Sequence, residues 1–248
     1  MGGERPPVAI ITGGSRGIGA GLIQGYRRQG WAVLASARTI KPSADPDLVT
    51  VEGDIAEAAT AERIIATALE HFGQVDTLVN NAGVYVSKPF TEYTAADYAL
   101  VTGVNLAGFF RVTQLAITEM LRRGRGHVVN LSASVADRPQ PGTPAVLAAL
   151  TKGGLAMAAR SLAVEYADRG IRVNAVAPGE TATTLISAGA SAGTGTGTAR
   201  TSNGAGQLSP LRRPGQVSDV VDAVLYLESA HHITGEVLHI DGGAIPSH

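Results

Sequence analysis

Cysteine is absent from all 248 residues, which excludes disulfides, thiolate nucleophiles and cysteine-ligated metal sites. Aromatic residues make up only 4 % of the chain against 44 % apolar, so any core must be built from Ala, Val, Ile and Leu. That composition suits helices covering a parallel sheet. An excess of one charge is lacking too: the formal net charge is −1, and nothing in the global field calls for nucleic acid or an anionic membrane. The one basic cluster, Arg122-Arg123 with Arg125, falls at the end of a predicted helix, where it complements the helix dipole. No apolar run approaches the roughly 20 residues that a membrane span needs. The stretch Met1-Gly2-Gly3-Glu4-Arg5-Pro6-Pro7 lacks the apolar core of a signal peptide, and Pro6 stands where myristoylation wants Ser or Thr. These absences lead to the expectation of a cytoplasmic chain that meets neither nucleic acid nor membrane.

What is present is a regular alternation. Strands are predicted at Val8–Thr12, Ala32–Ser36, Leu48–Glu52, Thr77–Asn80, His127–Leu131, Arg172–Val176 and Val237–Ile240. Helices are predicted at Gly17–Gln29, Glu57–Phe72, Ala95–Arg123, Ala145–Asp168 and Gln216–Glu228. Such alternation implies an α/β fold, a doubly wound parallel sheet with helices on both faces and right-handed crossovers. With no internal repeat and no linker, residues 1–248 are expected to form a single domain. One segment departs from the pattern. Ser187 to Gln207 is almost entirely Gly, Ala, Ser and Thr, too poor in apolar surface to offset its ordering entropy. It is expected to be mobile, either as a lid over a substrate or as an inert surface insertion.

The sharpest local signal is Val8-Ala9-Ile10-Ile11 leading into Thr12-Gly13-Gly14-Ser15-Arg16-Gly17-Ile18-Gly19. A strand feeding a glycine-rich turn that opens a helix suits a dinucleotide pyrophosphate. The glycines let backbone approach the phosphates, and the helix start offers unpaired N–H groups and the positive end of its dipole. The spacing is G-x-x-x-G-x-G rather than the commoner G-x-G-x-x-G, and such a turn alone could be a mere tight connection.

That octapeptide, together with Asn80-Asn81-Ala82-Gly83, Asn105, Pro178-Gly179 and Asp241-Gly242-Gly243 in this order, resembles the short-chain dehydrogenase/reductase family over nearly the whole chain. The resemblance implies a single Rossmann-type domain, a nicotinamide cofactor, a small carbonyl or alcohol substrate, and a homo-oligomer, tetramer or dimer. Position by position it implies that Gly13, Gly17 and Gly19 form the pyrophosphate turn, supported by Ser15 and Ile18. Asp54, with Ile55 beside it, matches the residue that meets the adenine ring, and Asn81, Ala82 and Gly83 pack beside the adenosine ribose. Pro178, Gly179 and Thr183 match the segment that holds the nicotinamide carboxamide, whereas Asp76 and Asp241 read as structural turn or cap residues. Choice of cofactor has a separate physical argument. NAD binders place a carboxylate after the second strand, and NADP needs positive charge there. Here the strand runs Leu34-Ala35-Ser36-Ala37-Arg38 with no acid at its end. Arg38 and Arg16 could clamp a 2′-phosphate through forked donors, or either could be a solvated surface charge. NADP(H) is therefore expected in preference to NAD(H).

The catalytic positions depart from the family. Its members carry a Tyr four residues before a Lys and a Ser at the exit of the fifth strand. The phenol exchanges the proton at the carbonyl oxygen, and the adjacent ammonium lowers its pKa from the ordinary value near ~10. In this chain Lys152 is present and also expected to hold the cofactor ribose, but the Tyr position is Ala148. Ungapped matching puts Ala133 at the Ser position, flanked by Ser132 and Ser134, and a local shift could bring Ser134 into the role. Asn105 matches the residue that helps to position the Lys. Tyr85, just past Asn81-Ala82-Gly83, is the first candidate for a substitute donor, though it could be a pocket wall giving only shape. Lys152 could act as the acid through water or serve ribose binding alone. His231-His232 reads as a surface pair near a helix end, His127 and His239 as packed or edge residues, and no metal site is expected. Tyr93 and Tyr98 are expected to pack at the start of the long helix. Two functions stay open: an oxidoreductase with a rerouted proton donor, or a dinucleotide-binding protein without turnover.

Overall fold

The computed structural model describes residues 5–139, 142–182 and 209–244. Seven strands, β1 (Val8–Thr12), β2 (Ala32–Ala37), β3 (Leu48–Glu52), β4 (Thr77–Asn80), β5 (Gly126–Leu131), β6 (Ile171–Pro178) and β7 (Val237–Ile240), form one sheet in the order β3-β2-β1-β4-β5-β6-β7. Every pairing is parallel. Between them run α1 (Gly17–Arg28), α2 (Ala58–Phe72), α3 (Ala95–Thr102), α4 (Phe109–Arg123), α5 (Val146–Tyr166) and α6 (Val217–Ser229).

Side chains alternate across the sheet, as the two-residue period of a strand dictates. Ile10, Leu34, Leu78, Val128 and Val173 face a core completed by Ile64 of α2, Val112 of α4 and Ala159 of α5. Their neighbours Ala9, Ile11, Val33, Val79 and Val129 face the opposite core, closed by Leu22 and Tyr26 of α1 and Val220 and Val224 of α6. Both faces are covered, which is why the central strands read as unbroken apolar runs.

Three sequence expectations are corrected. The long helix expected over Ala95–Arg123 is interrupted: Gly103–Gly108 winds as a π-helix between α3 and α4. By length and composition alone this 29-residue run is apolar enough to cross a membrane, contrary to the sequence expectation; Val101, Val112, Ala116 and Met120 are buried within the protein, whereas Leu100 and Phe110 are exposed. Tyr98 is 54 % exposed instead of packed, whereas Tyr93 is partly buried and donates to the Val86 carbonyl. Arg123 does more than face a dipole, because it pairs with Asp76 at 2.7 Å. Asp76 also accepts the Val8 N–H at 2.8 Å, so it ties β1 to α4. The segment from Ser187 to Gln207 lies outside the described residues.

Away from the carboxyl ends of the strands lies a buried polar knot. Glu228 of α6 accepts from Tyr26 Oη at 2.8 Å, Thr77 Oγ1 at 3.0 Å and His127 Nδ1 at 3.2 Å. Arg172 of β6 donates to the carbonyls of Leu227 and Glu228, at the end of α6, and to Ile233 beyond it. His127 is thus a packed strand residue, and it joins β5 to α6 through Glu228 and to β6 through Asn174. His239 pairs with Asp137 at 2.9 Å, and His231 and His232 are exposed.

Candidate active site

The chain runs outward from β1 to β2 and β3, then returns to β4 on the other side of β1. The resulting switch point leaves a crevice outside the carboxyl ends of β1 and β4, where open α/β sheets bind ligands. Thr12, the last residue of β1, organises both walls. Its Oγ1 accepts from the backbone N–H of Asn81 at 3.1 Å and of Ala82 at 3.0 Å. Asn81 Nδ2 returns to the carbonyls of Thr12 and Gly13 at 2.9 and 3.1 Å. Thr12 was missed from the sequence; its position directly ahead of the first glycine is the signal that could have found it.

The turn after β1 closes on itself so tightly that a Cβ on Gly19 would stand 2.1 Å from the Gly13 carbonyl oxygen. Only glycine fits there. Gly13 adopts φ +70°, which also favours glycine. At the start of α1 the preceding residue, Arg16, makes no side-chain cap and the first turn holds no acid. Its leading N–H groups therefore keep their hydrogen-bonding capacity and the positive dipole end is not neutralised. These features fit a pyrophosphate group.

A cleft of about 450 Å³ opens over this turn. Gly13, Ser15, Arg16, Gly17, Ile18, Gly19, Arg38, Asp54, Ile55, Asn81, Ala82 and Gly83 all line it, so the structure brings together twelve of the residues singled out from the sequence. Ser36, Thr39, Gly53, Val84 and Val104 line it as well and were missed. Arg16 and Arg38 are exposed on its rim, and among the described residues neither makes an ion pair. One carboxylate oxygen of Asp54 caps the following turn by accepting from the Ala56 N–H at 2.9 Å.

Lys152, on the first half of α5, does not line this cleft itself, but its head group stands behind Gly83, which does. Its Nζ donates to the Leu131 carbonyl, at the end of β5, at 2.6 Å. A Cβ added to Gly83 would lie 3.0 Å from Lys152 Nζ and 3.4 Å from Asn105 Oδ1, so both groups face the same glycine. Burial holds the Lys152 ammonium down from 10.5 to about 8. Asn105 sits in the π-wound turn, where its Oδ1 accepts from Val84 N–H at 2.9 Å and its Nδ2 donates to Val84 carbonyl oxygen and Thr151 Oγ1. A π-turn is often found at functional sites, and here it aims one buried amide at the β4 exit.

The serines divide their work. Ser132 Oγ is committed to the Lys152 carbonyl at 2.8 Å. Ser134 is buried, and a Cβ on Gly179 would approach its Oγ to 3.6 Å. Its hydroxyl therefore faces the segment Pro178-Gly179, which is held by the Gly179 N–H donating to the Ile240 carbonyl at 3.0 Å. Arg138 locks the surrounding loops by pairing with Asp241 at 2.7 Å and donating to the Ala244 carbonyl at 2.8 Å. Asp241 is in this way structural. Ala148 lies one helical turn before Lys152, on the buried face of α5. Tyr85 is half-buried but does not line the cleft, and Thr183 lies outside the described residues. Among the described residues no three His, Asp or Glu side chains cluster as metal ligands would.

Comparison with known proteins agrees with this architecture. The profile of the family described as enoyl-(acyl carrier protein) reductase matches residues 13–244. A putative ketoacyl reductase of granaticin polyketide synthesis from Streptomyces violaceoruber is 37 % identical over 96 % of this chain and 96 % of its own length. Among solved structures, ElxO with NADP bound superposes with a TM-score of 0.85 at 27 % identity, covering 96 % of this chain and 98 % of its own. A 3-ketoacyl-(acyl-carrier-protein) reductase from Brucella melitensis complexed with NADH gives 0.83 at 26 % identity, covering 96 % and 98 %. Sheet order, glycine turn and these matches over nearly the full length place the chain in the short-chain dehydrogenase/reductase family of oxidoreductases.

Proposed function

We propose that the chain, as a single dinucleotide-binding domain, holds NADP(H) and interconverts a small carbonyl compound and its alcohol without the phenol that the family uses for proton transfer. The observation that carries the cofactor choice is the pair Arg16 and Arg38. Both line the cleft beside the glycine turn, neither is paired among the described residues, and no carboxylate follows β2. Two guanidinium groups supply forked donors suited to a 2′-phosphate and would leave the NAD ribose without an acid to bind its hydroxyl. When bound, the nicotinamide supplies or accepts the hydride. The chain's part is to hold the pyrophosphate at α1, hold the ribose with Lys152, and present the carbonyl near Ser134 and Gly179.

Cofactor preference is read by titrating the protein with NADPH and NADH and following cofactor fluorescence. A charged hydrogen bond contributes about 1.5–3 kcal/mol, so NADPH is expected to bind roughly 10- to 100-fold more tightly than NADH. Arg38→Asp is expected to abolish that preference. Equal affinities in the native chain would contradict the assignment.

Ala148 favours a second reading, a dinucleotide-binding protein without turnover. Assay with NADPH over a panel of small ketones and aldehydes separates the two: saturable binding with no turnover on any member would select it.

The reading extends to a second copy of the chain. Val146, Leu150, Met157 and Val164 are 46, 56, 59 and 85 % exposed and follow one another along α5 at spacings that keep them on one helix face. Such an apolar stripe needs a partner, and self-association would bury it. Leu150→Lys combined with Met157→Lys is expected to convert an oligomer to monomer in sedimentation analysis, and an unchanged mass would count against this face.

A further inference from the structure

We infer that Lys152 is itself the proton source for the carbonyl oxygen, working through one water in a chain whose position 148 carries no phenol; this rests on the proposed reductase reading. At the inner end of the cleft the groups that could give a proton are few. Ser132 has its hydroxyl hydrogen committed to the Lys152 carbonyl. Ser134 faces Gly179, but an ordinary hydroxyl is far too weak an acid to act near neutral pH without a base beside it. Asn105 has its amide committed to Val84 and Thr151. Neither Tyr85 nor Lys152 lines the cleft itself, but it is Lys152 Nζ, not Tyr85, that stands nearest a Cβ on Gly83 of its lining. Among the described residues, Lys152 remains.

Its ammonium carries three protons, and one hydrogen bond, to the Leu131 carbonyl, is recorded for it. The head group faces Gly83, which lines the cleft, so the remaining N–H groups have access to the reacting end. No carboxylate pairs with it among the described residues. Burial without a counter-ion lowers the cost of giving up the proton, and the value of about 8 lies close to the range in which a general acid is most effective. A methyl group at Ala148 leaves the α5 face beside Lys152 without an acid of its own. During reduction, an N–H bond of Lys152 breaks as the bridging water passes a proton on, and an O–H bond forms on the substrate oxygen while hydride reaches its carbon. The neutral amine then recovers a proton from solvent, so the net reaction consumes one reduced cofactor and one proton per alcohol formed.

The first test needs no cofactor. NMR titration of the full chain with ¹³C-labelled lysine, the signal assigned by its loss in Lys152→Arg, is expected to give a midpoint about 8; the ordinary 10.5 overturns the inference. The second follows NADPH oxidation over ketones and aldehydes that include ethyl acetoacetate. The expected kcat is level at lower pH and falls about tenfold per unit above pH ~8, as the ammonium form disappears. Lys152→Arg keeps a positive charge but cannot release a proton near neutrality, so it is expected to lose about 100-fold in kcat, with NADPH binding weakened but still measurable because Lys152 is also the proposed ribose ligand.

Retained turnover in Lys152→Arg, or turnover abolished by Tyr85→Phe, overturns Lys152 as donor and leaves the reductase reading standing. NADPH binding with no native turnover overturns the inference and selects the non-catalytic reading. Absence of NADPH binding ends the cofactor reading itself, and the inference with it.

Discussion

Ala148→Tyr is expected to raise the rate of NADPH-dependent carbonyl reduction at least about tenfold at pH 7. A positioned general acid contributes roughly 10²–10⁴-fold, and a water-bridged amine recovers only part of that. The new phenol would stand one helical turn before Lys152, whose ammonium would lower its pKa from near ~10 toward neutrality. The pH profile should change with it, because the acid is then the phenol rather than the amine. Ala148 is only 3 % exposed, so fitting a ring costs stability, by about 1–3 kcal/mol. Steady-state kinetics beside a thermal melt check both parts. A folded variant that binds NADPH but shows no gain in rate would mean that proton delivery does not limit the native chain.

The second large effect concerns folding. Glu228→Ala is expected to destabilise the protein by about 3–5 kcal/mol, because removing one member of a buried ionic cluster strands the others. Tyr26 Oη, Thr77 Oγ1 and His127 Nδ1 would all lose their acceptor, and Arg172 its nearby carboxylate. In a domain of this size that corresponds to a Tm lowered by roughly 10 °C, with Glu228→Gln milder because it keeps an oxygen acceptor. Calorimetry reads this directly, and a Tm within a degree of native would refute the role given to Glu228.

The same cluster sets an acid limit. Burial holds His127 below its ordinary value of 6.5, so below that pH the unfolded chain takes up a proton that the folded chain refuses. Burial acts to raise Glu228, but its bond and charge interaction with His127, then the bonds from Tyr26 and Thr77, prevail and hold it below 4.5. A carboxylate held down in the folded state stabilises above its unfolded pKa and loses that contribution as pH falls. Both groups act in one direction, so stability should decline from about pH 6.5 downward and fall further below about pH 4.5. Glu228→Gln is expected to weaken the second decline.

Local pattern made most of this fold legible. Each predicted strand lies within two residues of an observed one at either end, because central parallel strands are continuous apolar runs bounded by turns. The glycine turn carried its geometry openly, as Gly13 and Gly19 show. What escaped was structure without a local period. The π-wound turn around Asn105 leaves the apolar pattern of its helix nearly intact, so Ala95–Arg123 read as one regular helix. The Tyr26–Glu228 bond joins residues 202 positions apart, and no window of sequence contains both. Thr12 looks like any strand-ending residue until Asn81 and Ala82 are seen to donate to it. Family resemblance pointed to Ala148 as the place where a phenol would be expected, but that no carboxylate pairs with Lys152 among the described residues required three dimensions.

The proposed reading assigns nucleotide capture and proton delivery to different parts of this chain, and isothermal titration of NADPH into the native protein and Ala148→Tyr tests that division most directly. The glycine turn, Arg16 and Arg38 are all distant in sequence from position 148 and line a cleft that Ala148 does not. Affinities agreeing within about threefold, beside a rate that differs at least tenfold, are the predicted result. A native chain that takes up no NADPH, or that binds it only once the phenol is restored, would contradict the account.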